Sequence, residues 1–261
     1  MRSLQIAATG MLAQQMRVET ISNNLANMNT TGYNARRAEF ADLHYQQSSR
    51  PGTIAASDGT VLPTGVQLGL GVRPSSVTMI VQQGSLSQTG GELDIAIEGK
   101  GYIEVTLPSG VSAYTRDGAL KLSPDGQIVN SDGHPVAPGI TIPNDARSIS
   151  INAQGEVYVY FKDVVEPELA GAFTLTGFTN EKGLEAIGSN LYLETTASGA
   201  PLTSVPGEDG LGTIRQSYLE SSSVDAVREV TELISAQRGY ELNSKVITAA
   251  DQMLAATTQV R

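Results

Sequence analysis

The distribution of glycine and proline constrains this chain more than any other feature. All 11 prolines and 25 of the 27 glycines lie between Gly32 and Gly212; the two outliers are Gly10 and Gly239. Long helices are therefore confined to the two ends, and the middle favours strands joined by tight turns. The ends carry the matching signal. Leu4, Ala7, Met11, Gln14, Val18, Ile21, Leu25 and Met28 recur in steps of three and four, apolar except at Gln14. Ala226, Val230, Leu233, Gln237, Tyr240, Ser244 and Ile247 keep the same rhythm, and a second stripe runs through Leu242, Val246, Ala249, Met253, Ala256 and Val260. Such spacing marks coiled-coil seams. Ser222 followed by Asp225 predicts the start of the second helix, and Gly32 the stop of the first. Two helices alone have too little surface to bury these seams, which points to assembly, with both ends unprotected in a dilute subunit.

The middle divides in two. From Tyr45 to about Pro74 the chain is rich in Gln, Ser, Gly, Thr and Pro and reads as an extended arm. From Asp94 onward the segments 95–105, 140–142, 149–151, 157–161, 173–178 and 191–193 have strand lengths, separated by the turn dipeptides Asp117-Gly118, Asp125-Gly126 and Asp132-Gly133. The expected fold class is α+β: long terminal helices forming a coiled-coil-like inner domain (1–32 and 222–261), an extended connecting arm and hairpin-like region (33–93 and 195–221), and a compact, mostly antiparallel β domain (94–194).

Composition excludes several functions. With 40% hydrophobic residues the chain can build a core, but a net charge of −10 opposes nucleic-acid binding, which needs clustered Lys and Arg. The densest basic spot is the pair Arg36 and Arg37. The absence of cysteine removes disulfides and thiolate metal sites. The first residues lack the apolar core of a signal peptide, and no stretch reaches the length of a membrane span. His44 and His134 stand alone in polar surroundings, the Asp-Gly pairs lack the oxygen-ligand run of a calcium loop, and Gly99-x-Gly101 lacks the rest of a dinucleotide fingerprint. No nucleophile elbow, zinc motif or phosphate loop occurs, so no catalytic, metal or cofactor-binding residue is assigned and no enzyme is expected.

One stretch is specific enough to suggest a family. Asn23-Asn24-Leu25-Ala26-Asn27-Met28-Asn29-Thr30-Thr31-Gly32-Tyr33, then Arg36-Arg37 and Phe40, resembles the leader of the bacterial flagellar rod and hook proteins. Asp94 to Ile103, Ala113-Tyr114-Thr115-Arg116-Asp117-Gly118, the run Gln237 to Ile247 and Ala250-Asp251-Gln252-Met253-Leu254 resemble further hallmarks of it, so the likeness covers the whole chain. The family often has Gly where Ser217 stands and Asn where Ser223 stands. Chain length, the single modest β domain and the arm with Leu62-Pro63-Thr64-Gly65 and Leu68 to Pro74 are similar to members of the distal rod.

The resemblance implies a structural subunit of a helical homo-polymer that carries torque from rotor to hook. Its implied neighbours are the proximal rod below, the hook above, the periplasmic and outer-membrane rings as a bushing, and the flagellar export apparatus, with export lacking a cleavable signal peptide. No cofactor, nucleic acid or membrane insertion is implied. Subunit packing would use Leu4, Met11, Val18, Ile21, Leu25, Met28, Val230, Leu233, Tyr240, Leu242, Val246, Ile247, Met253 and Leu254. Asn23, Asn24, Asn27, Arg36, Arg37 and Gly239 would set register or contacts. The alternatives are another axial protein of the family, such as a proximal rod or short hook-type member, and a secreted monomeric binding module built on the β domain.

Overall fold

The computed structural model describes residues 2–49, 64–162 and 166–259. The chain is α+β and divides into two compact units: Met1–Leu25, Arg36–Thr78 and Ala226–Arg261 form the first, Ala26–Ala35 and Met79–Asp225 the second.

The first unit contains both long helices, α1 (Arg2–Ala26) and α2 (Ala226–Gln259). It also holds β1 (Arg36–Asp42), β2 (Tyr45–Ser49), β3 (Val66–Gly69) and β4 (Val72–Met79) except for its last residue, Met79. β1 pairs with β4, and β2 with β3 as an antiparallel hairpin in the register Tyr45↔Gly69, Gln46↔Leu68. Residues 50–63 of the predicted arm, including Leu62 and Pro63, lie outside the described residues.

α1 ends six residues before the predicted stop at Gly32. Thr30 N–H donates to the Asn27 carbonyl (3.2 Å) and Thr30 Oγ1 to Asn27 Oδ1 (3.2 Å), so short polar side chains turn the backbone before glycine is reached. Gly32 serves another purpose. With φ +63° it brings the chain against the Arg116 backbone, where an added Cβ would lie 2.8 Å from the carbonyl. At the other end α2 begins at Ala226, with Asp225 immediately before it. The Ser222 hydroxyl accepts from Val224 N–H (3.3 Å), two residues along the chain.

The second unit is built from short strands. They are β5 (Leu86–Gln88), β6 (Ile95–Glu98), β7 (Tyr102–Thr106), β8 (Ser112–Thr115), β9 (Lys121–Leu122), β10 (Ile128–Val129), β11 (Ala146–Ile151), β12 (Glu156–Phe161), β13 (Glu168–Ala172), β14 (Leu175–Gly177), β15 (Glu185–Gly188), β16 (Leu191–Leu193), β17 (Leu202–Ser204), β18 (Thr213–Gln216) and β19 (Tyr218–Glu220). The main sheet has the order β15-β16-β8-β7-β14-β17. A second sheet is β11-β12-β13, and β6-β18, β5-β19 and β9-β10 form two-stranded ladders. Every ladder whose register is known is antiparallel.

The side-chain period of two separates the faces of the main sheet. On β7, Ile103 and Val105 point into an aliphatic core with Ala113, Leu175, Leu191, Phe173 and Val157. Tyr102 points to the other face and packs with Tyr114, Tyr192, Phe178 and Met79. Each such aliphatic side chain contributes about 1.5–3 kcal/mol by leaving water. The apolar run 95–105 is two strands, not one, because Gly99 (φ +120°) and Gly101 (φ +132°) break it and send β6 and β7 into different sheets. Segment 140–142 makes only the isolated bridge Gln127↔Thr141, although Ile140 and Ile142 are buried as a strand reading requires. Segment 173–178 contracts to β14, and β11, β12 and β16 form where their apolar runs place them.

Candidate assembly surface

Within the first unit the two helices meet in antiparallel order. An added Cβ on Gly10 would lie 2.9 Å from Asn243 Nδ2, and one on Gly239 would lie 3.1 Å from Gln14 Cδ. Farther along, Arg17 Nη2 lies 3.4 Å from Glu232 Oε2, and Asn24 Nδ2 donates to Glu229 Oε2 at 3.2 Å. A single chain thus pairs its own ends. That corrects the expectation of two unpaired helices in an isolated subunit.

The two helices use their stripes differently. On α1 the predicted seam faces inward: Ala7 and Ile21 are buried, and Leu4, Met11, Gln14, Val18 and Leu25 half-buried. Met28 lies beyond the helix end and is exposed. On α2 the inward stripe is Glu229, Leu233, Ala236, Gly239, Asn243, Ile247 and Ala250, rotated by about one residue from the predicted first seam. Ala236 and Ala250 are its buried members. Small residues let the helices approach closely, at the cost of leaving larger side chains out. Val230, Tyr240, Leu254, Leu242 (62%) and Met253 (64%) are exposed together with Val246, Val227 and Ile234. An apolar surface of this kind on a folded chain marks an interaction site.

The predicted register residues are placed individually. Asn24 is 1% exposed, and its carboxamide reads the backbone of Arg36 as a strand would, with Nδ2 donating to the carbonyl (2.8 Å) and Oδ1 accepting from the N–H (2.9 Å). Asn23 is exposed, and Asn27 Oδ1 accepts from Thr30. Arg36 and Arg37 lie on β1; Arg37 Nη2 donates to Glu39 Oε1 at 3.1 Å on the surface. Thr78 and Ser76 also donate to Glu39, and these bonds, that from Arg37 foremost, hold its carboxyl below the usual range. Gln14 Oε1, facing Gly239, is buried without a hydrogen-bond partner among the described residues.

In the second unit a buried ion pair ties the leader to the β fold. Arg116 Nη2 lies 2.9 Å from Glu220 Oε2 and Arg116 Nε donates to the same oxygen at 3.0 Å, with both side chains at most 6% exposed. The rest of the guanidinium donates to the carbonyls of Gly101 (3.1 Å) and Gly99 (3.0 Å). Glu220 Oε1 accepts from Gly84 N–H (2.9 Å), and the Glu220 carbonyl accepts from Gly32 N–H (2.8 Å). Thr31 Oγ1 donates to Asp117 Oδ1 at 2.7 Å. Tyr102, beneath the guanidinium, donates to Glu181 Oε2 (3.2 Å), and burial first, with the nearby Glu181 charge second, raises its phenol far above its usual range. Sequence reasoning missed Glu220. The available signal was Arg116, a charged residue at the end of an apolar strand, which demands a buried acid somewhere in the chain.

Ser217 and Ser223 occupy informative positions. Ser217 has φ +61°, the left-handed region that favours glycine, while its N–H donates to the Asp94 carbonyl (2.7 Å). Ser223 Oγ accepts from Ala35 N–H at 2.9 Å. His44 lies in the β1–β2 connection and His134 in the turn after β10. Among the described residues no three His, Asp or Glu side chains converge as a metal site requires, and no helix is long and apolar enough to cross a membrane.

Comparison with known proteins agrees with these features. Residues 4–34 match the model of the "Flagella basal body rod protein" family, residues 96–159 that of the "Flagellar hook protein FlgE/F/G D1 domain", and residues 215–260 that of the "Flagellar basal body rod FlgEFG protein C-terminal". The chain is 54% identical over 261 residues to the flagellar basal-body rod protein FlgG of Caulobacter vibrioides, covering 100% of both chains. It is 47% identical to that of Agrobacterium fabrum, covering 97% of each chain, and 37% identical to that of Bacillus subtilis, again covering 97% of each. With both terminal helices, the leader and the β unit all accounted for by full-length likeness, this chain belongs to the flagellar basal-body rod protein family.

Proposed function

We infer that this chain is a structural subunit of the distal flagellar rod, polymerising with copies of itself into a helical shaft that transmits torque. The observation that carries the reading is the apolar stripe of α2 around Leu242, Val246 and Met253, left uncovered after α1 and α2 have met. An uncovered stripe on every copy, joined head to tail without closure, generates a helical polymer. On this reading the helix pairs of successive copies associate as a coiled-coil-like tube. The outward residues Val230, Tyr240, Leu242, Val246 and Met253 pack between copies, and Leu4, Met11, Val18, Ile21, Leu233 and Ile247 hold the pair within each copy.

The neighbours of the polymer are the proximal rod below and the hook above, with the rings as a bushing and the export apparatus as its route outward. The β2–β3 hairpin bridges copies and stiffens the shaft, since a two-stranded hairpin is marginal unless something covers it. The role is mechanical.

The test is assembly of Leu242→Asp/Val246→Asp. Charges buried at each inter-subunit contact cost several kcal/mol. Sedimentation of the wild-type chain at high concentration should show polymers, and the variant should remain monomeric with an unchanged circular dichroism spectrum. Normal polymerisation of the variant would show that the stripe is not the contact.

A further inference from the structure

The face of the main sheet opposite the aliphatic core carries a pocket of about 550 Å³, lined by Glu104, Tyr114, Glu194, Val111, Ser112 and Thr203 among others. Its composition follows from register. Glu104 stands directly across the ladder from Tyr114, Tyr192 stands across from Tyr114 on the other side, and Glu194 follows Tyr192 by two residues. The alternation of strand side chains therefore puts both carboxylates and the phenol on one face.

The groups in this pocket are open to a ligand. The Tyr114 side chain is nine-tenths or more buried, 3% exposed, with its ring packed edge-on against Phe178 at 4.8 Å, while its hydroxyl opens into the pocket and makes no hydrogen bond with any described residue; Glu104 is half-buried and Glu194 exposed at the mouth. Neither Glu104 nor Glu194 is paired with a cation among the described residues, although both are close enough to act on the phenol. The rim adds the exposed Val111 and Pro201. Two carboxylates and a hydroxyl oxygen around an apolar-edged cavity match the donors of a guanidinium or ammonium group, which would satisfy all three acceptors at once.

We propose that this pocket receives a cationic side chain from a second copy of the chain. The inference rests on the polymer reading above. Charge complementarity selects the occupant: most of the acid behind the net charge of −10 falls within the second unit, whereas Arg73, Arg147 and Arg238 are exposed and have no carboxylate partner among the described residues. In a polymer every copy presents both the pocket and these cations.

The experiment compares assembly of the full chain with that of Glu104→Gln/Glu194→Gln and of Tyr114→Phe, with melting curves to show that each variant folds. The double variant should raise the critical concentration about tenfold, worth about 1.4 kcal/mol per contact, and Tyr114→Phe should raise it less. Added salt should narrow the difference. If wild type and double variant assemble alike, the inference fails and the polymer reading stands. If the wild-type chain does not assemble, both fail. A second measurement adds arginine methyl ester to dilute wild-type protein and follows the Tyr114 ring by NMR. A response that the double variant lacks, combined with unchanged assembly, would assign the cation to a different protein and overturn the second-copy occupant.

Discussion

Glu220→Gln tests whether the buried ion pair holds the second unit together. The substitution keeps the shape of the side chain and removes its charge, leaving Arg116, 6% exposed, without its counter-ion. The two bonds into Oε2, at 2.9 and 3.0 Å, and the one into Oε1 cannot all survive. If the glutamine amide nitrogen takes that place, donor faces donor; if it flips, Gly84 N–H loses its acceptor. Breaking one side of a buried pair costs about 3–5 kcal/mol. The carbonyls of Gly99 and Gly101 still accept from the guanidinium, which places the expected loss near the lower end, about 3 kcal/mol. Urea unfolding followed by near-ultraviolet tyrosine signals would measure it. The double variant Arg116→Met/Glu220→Leu should lose less than Arg116→Met and Glu220→Leu summed, since two apolar groups replace two charges, although the Gly84 N–H and the Gly99 and Gly101 carbonyls are then left without these partners, at about 1–3 kcal/mol for each group that stays buried. A loss below 1 kcal/mol in Glu220→Gln, or strict additivity of the single substitutions, would refute the reasoning.

Four further outcomes are expected. Ser217→Gly should stabilise the second unit by about 1 kcal/mol, read as a higher urea midpoint, because φ +61° strains any residue with a Cβ. Gln14→Leu should raise the melting temperature of the helical signal, since it removes a buried oxygen without a partner among the described residues, at a gain of about 1–3 kcal/mol. Gly239→Ala should be neutral or gain up to about 1 kcal/mol in helix propensity, because its new Cβ meets only the movable end of Gln14, whereas Gly10→Ala should gain less, its Cβ lying 2.9 Å from Asn243; thermal melts of the two variants decide. Burial, then Glu104, then Glu194 push the Tyr114 phenol from 10.0 up to about 12. Its contribution to stability is present in full below pH 10 and is lost as pH rises through 12, which ultraviolet titration should show, with Glu104→Gln/Glu194→Gln moving the midpoint only part of the way back because burial is the larger cause.

What the sequence determined by itself was local. Gly and Pro placement set where helices could exist, three-and-four periodicity located α1 and α2, and apolar and β-branched runs located β11, β12 and β16, because each signal reports the period and backbone freedom of a few neighbouring residues. The motifs around Asn23–Tyr33, Asp94–Ile103 and Gln237–Ile247 carried the family. Periodicity could not say which stripe of α2 turns inward: the large hydrophobes Leu242 and Met253 face out, and the packed stripe runs through Ala236 and Gly239, where small size and not hydrophobicity decides contact. Nor could it pair Arg116 with Glu220, 104 positions away, or set Glu104 beside Tyr114 across a ladder. Those partnerships depend on strand register and long-range chain return, which only the tertiary fold decides, because the free energy of satisfying a buried charge is shared between residues that have no relation along the chain.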